Sequence, residues 1–225
     1  MRKMSLELKV MLIAVALAAM LAGAWLAGID RQSSSRARLL PDQVMTLLAE
    51  PKPMSDFALT DDRDRRFDLA SLKGKWSFLF FGFTYCPDVC PTTLATLAQA
   101  REDIARNAHG ADDVQFVFVS VDPNRDTASG LRQYVRAFDP SFVGVTGDDA
   151  QLANLAGQLG AVYRVEIAPG VENYPVTHSA AVYLVDPRAR HYAVFAPPID
   201  AEVIGQRFKV LRELARSAYL ERPTM

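Results

Sequence analysis

The chain has 225 residues, of which 50% are hydrophobic, 23% charged and 9% aromatic, with a formal net charge of -1. That composition suits one globular domain of about 150–200 residues with appendages. The near-zero charge and the lack of any basic run remove the electrostatic basis for nucleic-acid binding.

The first element in chain order is apolar. Residues 10–29, VMLIAVALAAMLAGAWLAGI, are twenty residues without a charge, and Arg2, Lys3 and Lys9 precede them. At about 1.5 Å rise per residue such a segment spans the roughly 30 Å hydrocarbon core of a bilayer. It predicts a single transmembrane helix over 10–29, with residues 1–9 in the cytoplasm. A cleaved signal peptide is the alternative, because Ala22-Gly23-Ala24 has the small-x-small form of a processing site. The h-region of a signal peptide usually runs to only about 7–15 residues. No cysteine follows the segment directly, so a lipoprotein anchor is not expected. Arg31, Arg36 and Arg38 compete with the N-terminal basic residues under the positive-inside rule. A short basic N-terminus ordinarily stays inside, which would export the rest. With no Arg/Ser-rich amphipathic leader, the expected location is a bacterial inner membrane with the soluble domain in the periplasm.

Residues 30–54 are polar and proline-containing, with one apolar patch at 44–48, and read as a tether to a domain over 55–220. DFALTDDRDRRFDL, residues 56–69, alternates about a charged turn and predicts a β-hairpin. WSFLFFGF, residues 76–83, predicts a strand buried on both faces. A helix is expected from about Pro91 to Asn107, with Leu94, Leu97, Ala98 and Ile104 on one face. VQFVFVSV, residues 114–121, reads as a second buried strand ending at Asp122-Pro123. Thr127 can cap a helix reaching Phe138. Phe142 to Thr146 reads as a short strand and Asp148 to Leu159 as a helix. AAVYLV, residues 180–185, and His191 to Phe195 predict two further strands, and Glu202 to Tyr219 a final amphipathic helix. Strands alternating with helices indicate a three-layer α/β domain.

Both cysteines of the chain, Cys86 and Cys90, lie in FGFTYCPDVCPTTL, where the first buried strand meets the first long helix. Open α/β sheets present reactive groups at such strand ends. The helix start favours thiolate, so both sulfurs are expected to be partly exposed and acidic. About one helical turn separates them, a spacing that allows a disulfide or joint binding of one ion. A structural disulfide is the bland reading for an exported chain. It is weakened because so small a loop removes little unfolded-chain entropy and a domain this large does not need it.

A third ligand would separate redox chemistry from metal binding. Of the three histidines, His109 reads as a solvated loop residue and His191 as an exposed residue starting a hairpin strand. His178, in NYPVTHSAAVYLVDP, directly precedes a buried strand, where a thioredoxin-like arrangement would set it beside the cysteine loop. A lone histidine is more often structural or solvated than a ligand, so both readings stand on position alone.

The set FGFTYCPDVCPTTL, VSVDP and VTHSAAVYLVDP, behind one N-terminal apolar segment, closely resembles the Sco/SenC family over about residues 55–215. The resemblance implies a thioredoxin-like fold and copper delivery to the binuclear copper site of cytochrome c oxidase, so that a copper-accepting oxidase subunit is the implied partner. It also implies that Cys86, Cys90 and His178 hold copper and that Asp88 matches the acid between the cysteines. Thr177 departs from the pattern, since relatives often carry aspartate there. Two thiolates suit Cu(I), and an imidazole suits both Cu(I) and Cu(II). Zinc could use the same donors, but no general base is evident nearby. For Asp88 a plain turn-forming role is the competing reading. A thiol–disulfide oxidoreductase acting through Cys86 and Cys90 is the alternative function. Its usual motif has two intervening residues where this loop has three.

Overall fold

The computed structural model describes residues 45–107, 110–167 and 174–220. The expected transmembrane segment at 10–29 and His109 lie outside the described residues. Among the described residues no helix is long and apolar enough to cross a membrane.

The elements follow the sequence reading in kind and, with three corrections, in place. Strands β1 (Met45–Pro53), β2 (Ala58–Asp61) and β3 (Arg66–Asp68) come first, then the single-turn helix α1 (Leu69–Leu72). Strand β4 (Trp76–Gly82), helix α2 (Val89–Asn107), β5 (Val114–Ser120), α3 (Ala128–Arg136), β6 (Val143–Thr146) and α4 (Asp149–Leu159) alternate next. The chain closes with β7 (Tyr163–Val165), β8 (Val176–His178), β9 (Val182–Val185), β10 (Arg190–Phe195) and α5 (Ala201–Leu220). Eight strands form one sheet in the order β1-β10-β9-β4-β5-β6-β2-β3, and β7 pairs with β8 in a separate hairpin. β4, β5 and β6 run parallel, while β9 is antiparallel to β4.

Strand β4 shows why the sheet is covered on both faces. Its side chains alternate with the period of two that a pleated strand imposes. Trp76, Phe78 and Phe80 pack with Leu94, Leu97 and Ile104 of α2, Leu131 and Val135 of α3, and Phe208 and Leu211 of α5. Leu79 and Phe81 point the other way, into a second core with Leu152, Leu155 and Leu159 of α4. Helices on both faces of a mixed sheet give the three layers expected. Local signals hold the helix starts: the Thr127 hydroxyl accepts from Gly130 N, and the Asp148 carboxylate accepts from Gln151 N.

The first correction concerns the tether. Residues 45–53 form an edge strand paired antiparallel with β10, so the folded unit begins about ten residues before the expected boundary. Met45 and Leu47 pack against the first core, which is what the apolar patch at 44–48 is for. The second correction is the β7–β8 hairpin, in a stretch to which the sequence pattern assigns no element. Tyr163 pairs with His178, Arg164 with Thr177 and Val165 with Val176. The third concerns His191, expected to be exposed. It is 6% exposed, held between the Tyr183 ring and the β1 strand that covers it.

Candidate metal centre

The site lies where β4 ends and α2 begins. Gly82, the last residue of β4, has no side chain because none fits: a Cβ there would lie 2.6 Å from Cys90 Sγ and 2.7 Å from the Phe118 ring. The loop that follows is pinned from below. The Asp126 carboxylate, 2% exposed, accepts from the Thr84 backbone N–H, the Thr84 hydroxyl and the Ser120 hydroxyl. These bonds set the direction in which Phe83 and Tyr85 lead into Cys86.

The two cysteines occupy unlike surroundings. Cys90 falls in the first turn of α2 and is fully buried, whereas Cys86 is half-buried. Both thiols are free. The Cys90 backbone N–H donates to Cys86 Sγ at 3.4 Å, so the helix start supports the sulfur of Cys86. Burial pushes the Cys90 thiol well above its ordinary value, with the sulfur of Cys86 adding to the shift. The expectation of two partly exposed, acidic sulfurs is therefore corrected for Cys90. Desolvation of a thiolate in an apolar pocket outweighs the helix dipole there.

His178 reaches the cysteines from β8. Its Nε2 lies 3.2 Å from Cys90 Sγ, and its Nδ1 lies 3.2 Å from the Ser179 carbonyl oxygen. A carbonyl only accepts, so Nδ1 carries the proton and Nε2 presents a lone pair toward the sulfur. Burial lowers the His178 pKa, against a smaller opposing effect of the Ser179 carbonyl, and keeps the ring neutral at neutral pH. Phe80 and Phe83 hold the imidazole by edge contacts, with ring centroids 5.8 and 5.9 Å away. One donor atom from each of Cys86, Cys90 and His178 lies within 4.8 Å of the others. Two soft sulfurs and a neutral imidazole with one open side can hold a soft or borderline ion and release it by ligand exchange.

Asp88 does not join this cluster. It is exposed on the turn between the cysteines, where its carbonyl accepts from Thr92 N. Thr177 is also exposed, along a groove of about 490 Å³ that runs past His178 and is lined by Val162, Tyr163, Arg164, Glu166 and Ser179.

Several site residues escaped the sequence reading. Asp122, Arg125 and Asp126 come from the stretch after β5, and Tyr174 from the approach to β8. The only hint was the density of acids in VDPNRD at a buried strand's end, where an unpaired carboxylate would be costly. Tyr134 of α3 packs beside the cysteines with its hydroxyl buried and unpartnered.

Comparison with known proteins agrees with this geometry. The family described as SCO1/SenC matches residues 47–213. A SCO2-like protein of Rickettsia prowazekii is 35% identical over 154 residues, covering 68% of this chain and 74% of that protein. The mitochondrial SCO2 homolog of Bos taurus is 35% identical over 181 residues, covering 79% of this chain and 65% of its own length. Among solved structures, that of Arabidopsis thaliana ScoI with copper bound superposes with a TM-score of 0.65 at 33% identity. It covers 71% of this chain and 98% of that one.

Proposed function

This chain belongs to the SCO1/SenC family, and on that premise we propose that it is a membrane-anchored copper chaperone. It hands its ion to the binuclear copper site of cytochrome c oxidase. The observation that carries the reading is the convergence of Cys86, Cys90 and His178 donors within 4.8 Å at the end of β4. Copper bound in solved relatives supports the choice of metal.

The donors divide the work. Copper enters as both thiols lose their protons, which makes binding favour higher pH and the reduced dithiol. Burial holds the Cys90 thiol protonated in the metal-free chain, and the metal's charge would offset that. Cys86, half-buried at the rim, is the sulfur an acceptor subunit reaches first. His178 supplies the third donor from a separate arm, so it can leave while both sulfurs hold the ion. Tyr85, 61% exposed, and Val89, 40% exposed, flank the cysteines and offer an apolar rim for docking. The 10–29 segment would tether the domain to the membrane, in the periplasm of a bacterium. Asp88, at the exposed turn, contacts the incoming subunit in this reading and does not bind the ion.

A thiol–disulfide oxidoreductase is the second reading, favoured by two free thiols in a strand–loop–helix setting. Cys86 would be the attacking sulfur and the buried Cys90 the resolving one.

A competition titration of the reduced full-length chain against a Cu(I) chelator tests the two. One-to-one binding that weakens at least about tenfold in His178→Ala, and is lost in Cys86→Ser, supports the chaperone. Binding indifferent to His178, with stoichiometric reduction of a disulfide target, would move the assignment to the oxidoreductase.

A further inference from the structure

Arg125 has no place in the donor set, yet it touches both halves of the site. Its guanidinium carbon lies 3.8 Å from the centre of the Tyr174 ring, 5.1 Å from that of Tyr85 and 5.7 Å from that of Phe83. Tyr85 is the neighbour of Cys86, and Phe83 is the ring that edges His178. Tyr174 opens the short segment that leads through Pro175 into β8 and His178. A single cation is thus stacked between the cysteine loop and the histidine arm.

The cation is aimed by Asp122, a fully buried carboxylate at the end of β5. Its Oδ2 pairs with Arg125 Nε, and its Oδ1 accepts from the Tyr174 hydroxyl at 2.6 Å. One carboxylate therefore fixes both the guanidinium plane and the ring beneath it. Cation–ring attraction strengthens as water is excluded, and the Arg125 side chain is only 13% exposed. The rest of the arm is tied to β7 and to the second core: β7 and β8 pair over three residues, Glu166 N donates to the Pro175 carbonyl, Ser179 N donates to the Val162 carbonyl, and Val176 packs inward. Among these contacts the Arg125 stack is the one that reaches the cysteine loop.

We propose that Arg125 is a positioning residue: its stack on Tyr174 locks the His178 arm to the cysteine loop and sets how readily the third donor leaves the metal. The proposal rests on the copper-chaperone reading and deepens it. An acceptor that displaces Tyr85 from the guanidinium loosens the arm as it docks, so docking and release are coupled through one side chain.

Lysine keeps the charge that pairs with Asp122 but lacks the planar face that lies against the Tyr174, Tyr85 and Phe83 rings. Arg125→Lys in the full-length chain is therefore the test, with Tyr174→Phe as the second variant should the first fail to fold. Two readouts are needed. In the metal-free chain, backbone hydrogen exchange over residues 174–180 is expected to rise about tenfold in Arg125→Lys, while that of β4 and β5 stays as in the wild type. In the Cu(I)-loaded chain, release to a chelator is expected to quicken about five- to tenfold. That acceleration should vanish when Arg125→Lys is combined with His178→Ala, since contacting residues couple and the arm then carries no donor. Unchanged exchange at the arm overturns the lock. Equal acceleration with and without His178 overturns it too, because the effect would not pass through the third donor. If the wild type itself takes no copper, or His178→Ala behaves as the wild type, the chaperone reading falls by that control. The exchange measurement then judges the lock by itself.

Discussion

Cys86 lies in the loop after β4 and Cys90 in the first turn of α2, and the missing side chain of Gly82 makes room for the Cys90 sulfur. Gly82 lets the Cys90 sulfur and the Phe118 ring close over the end of β4, which buries one thiol and leaves the other at the rim. Gly82→Ala is expected to destabilise the fold by about 1–3 kcal/mol, the usual cost of overpacking. Because Cys90 Sγ is the nearer obstacle, the same change should push that sulfur off its line to His178 and weaken copper binding. Thermal unfolding and chelator competition on the variant check both, and a Gly82→Ala chain with wild-type stability and affinity would show that the pocket yields freely. At this scale the two cysteines were legible as candidates, because they are the only ones in the chain and follow a buried strand, while His178 stood out only through the family resemblance. Burial was not legible: a helix start argues for an acidic thiol, and only the packed Phe118 and Gly82 reverse the outcome for Cys90.

Elements with a long regular pattern were readable in order. WSFLFFGF and VQFVFVSV became β4 and β5 because continuous apolar runs suit strands covered on both sides. The elements that escaped are those whose stability comes from partners far along the chain. β1 pairs with β10 across more than a hundred residues, and its alternation is broken by a bulge between Leu47 and Lys52. β7 and β8 span three residues each, too short for any period to show. Edge strand β1 also closes the domain: Met54 is buried beyond its end, and Met54 N donates to the Ala189 carbonyl. A chain starting at Asp56 should melt about 5–15 °C below one starting at Asp42, from a loss of about 2–4 kcal/mol in apolar burial. Equal melting temperatures would show that residues 42–55 are a tether after all.

Over the whole molecule, two imidazoles are folded into places that resist protonation. Burial lowers the pKa of both His178 and His191, and Lys52 across the β1–β10 pair lowers that of His191 further. Above pH 6.5, the ordinary value, folded and unfolded chains both hold neutral rings and the shift contributes nothing. Below it the unfolded chain takes up protons that the folded chain refuses, so stability falls as pH drops from 6.5 toward the folded pKa values. The ordinary carboxylate range, about pH 4, lies below this window. Urea unfolding of the metal-free chain at pH 7.5, 6.5 and 5.5 should show the decline, with a smaller slope in His191→Gln. A flat or rising profile between pH 7.5 and 5.5 would contradict the burial of these rings.

The sequence by itself determined the class of fold and put forward the candidate donors, the two cysteines by their place after a buried strand and His178 by family resemblance. Alternating apolar runs and helical periods dictate layers, and soft donors are rare enough to stand out. Tertiary structure alone decided which donors meet, how exposed each is, and what holds the histidine arm. Those depend on contacts between Gly82 and Phe118, and between Arg125 and Tyr174, that no local pattern encodes. Periodicity reports which face of an element is buried, whereas the partners on that face are set only when the layers close.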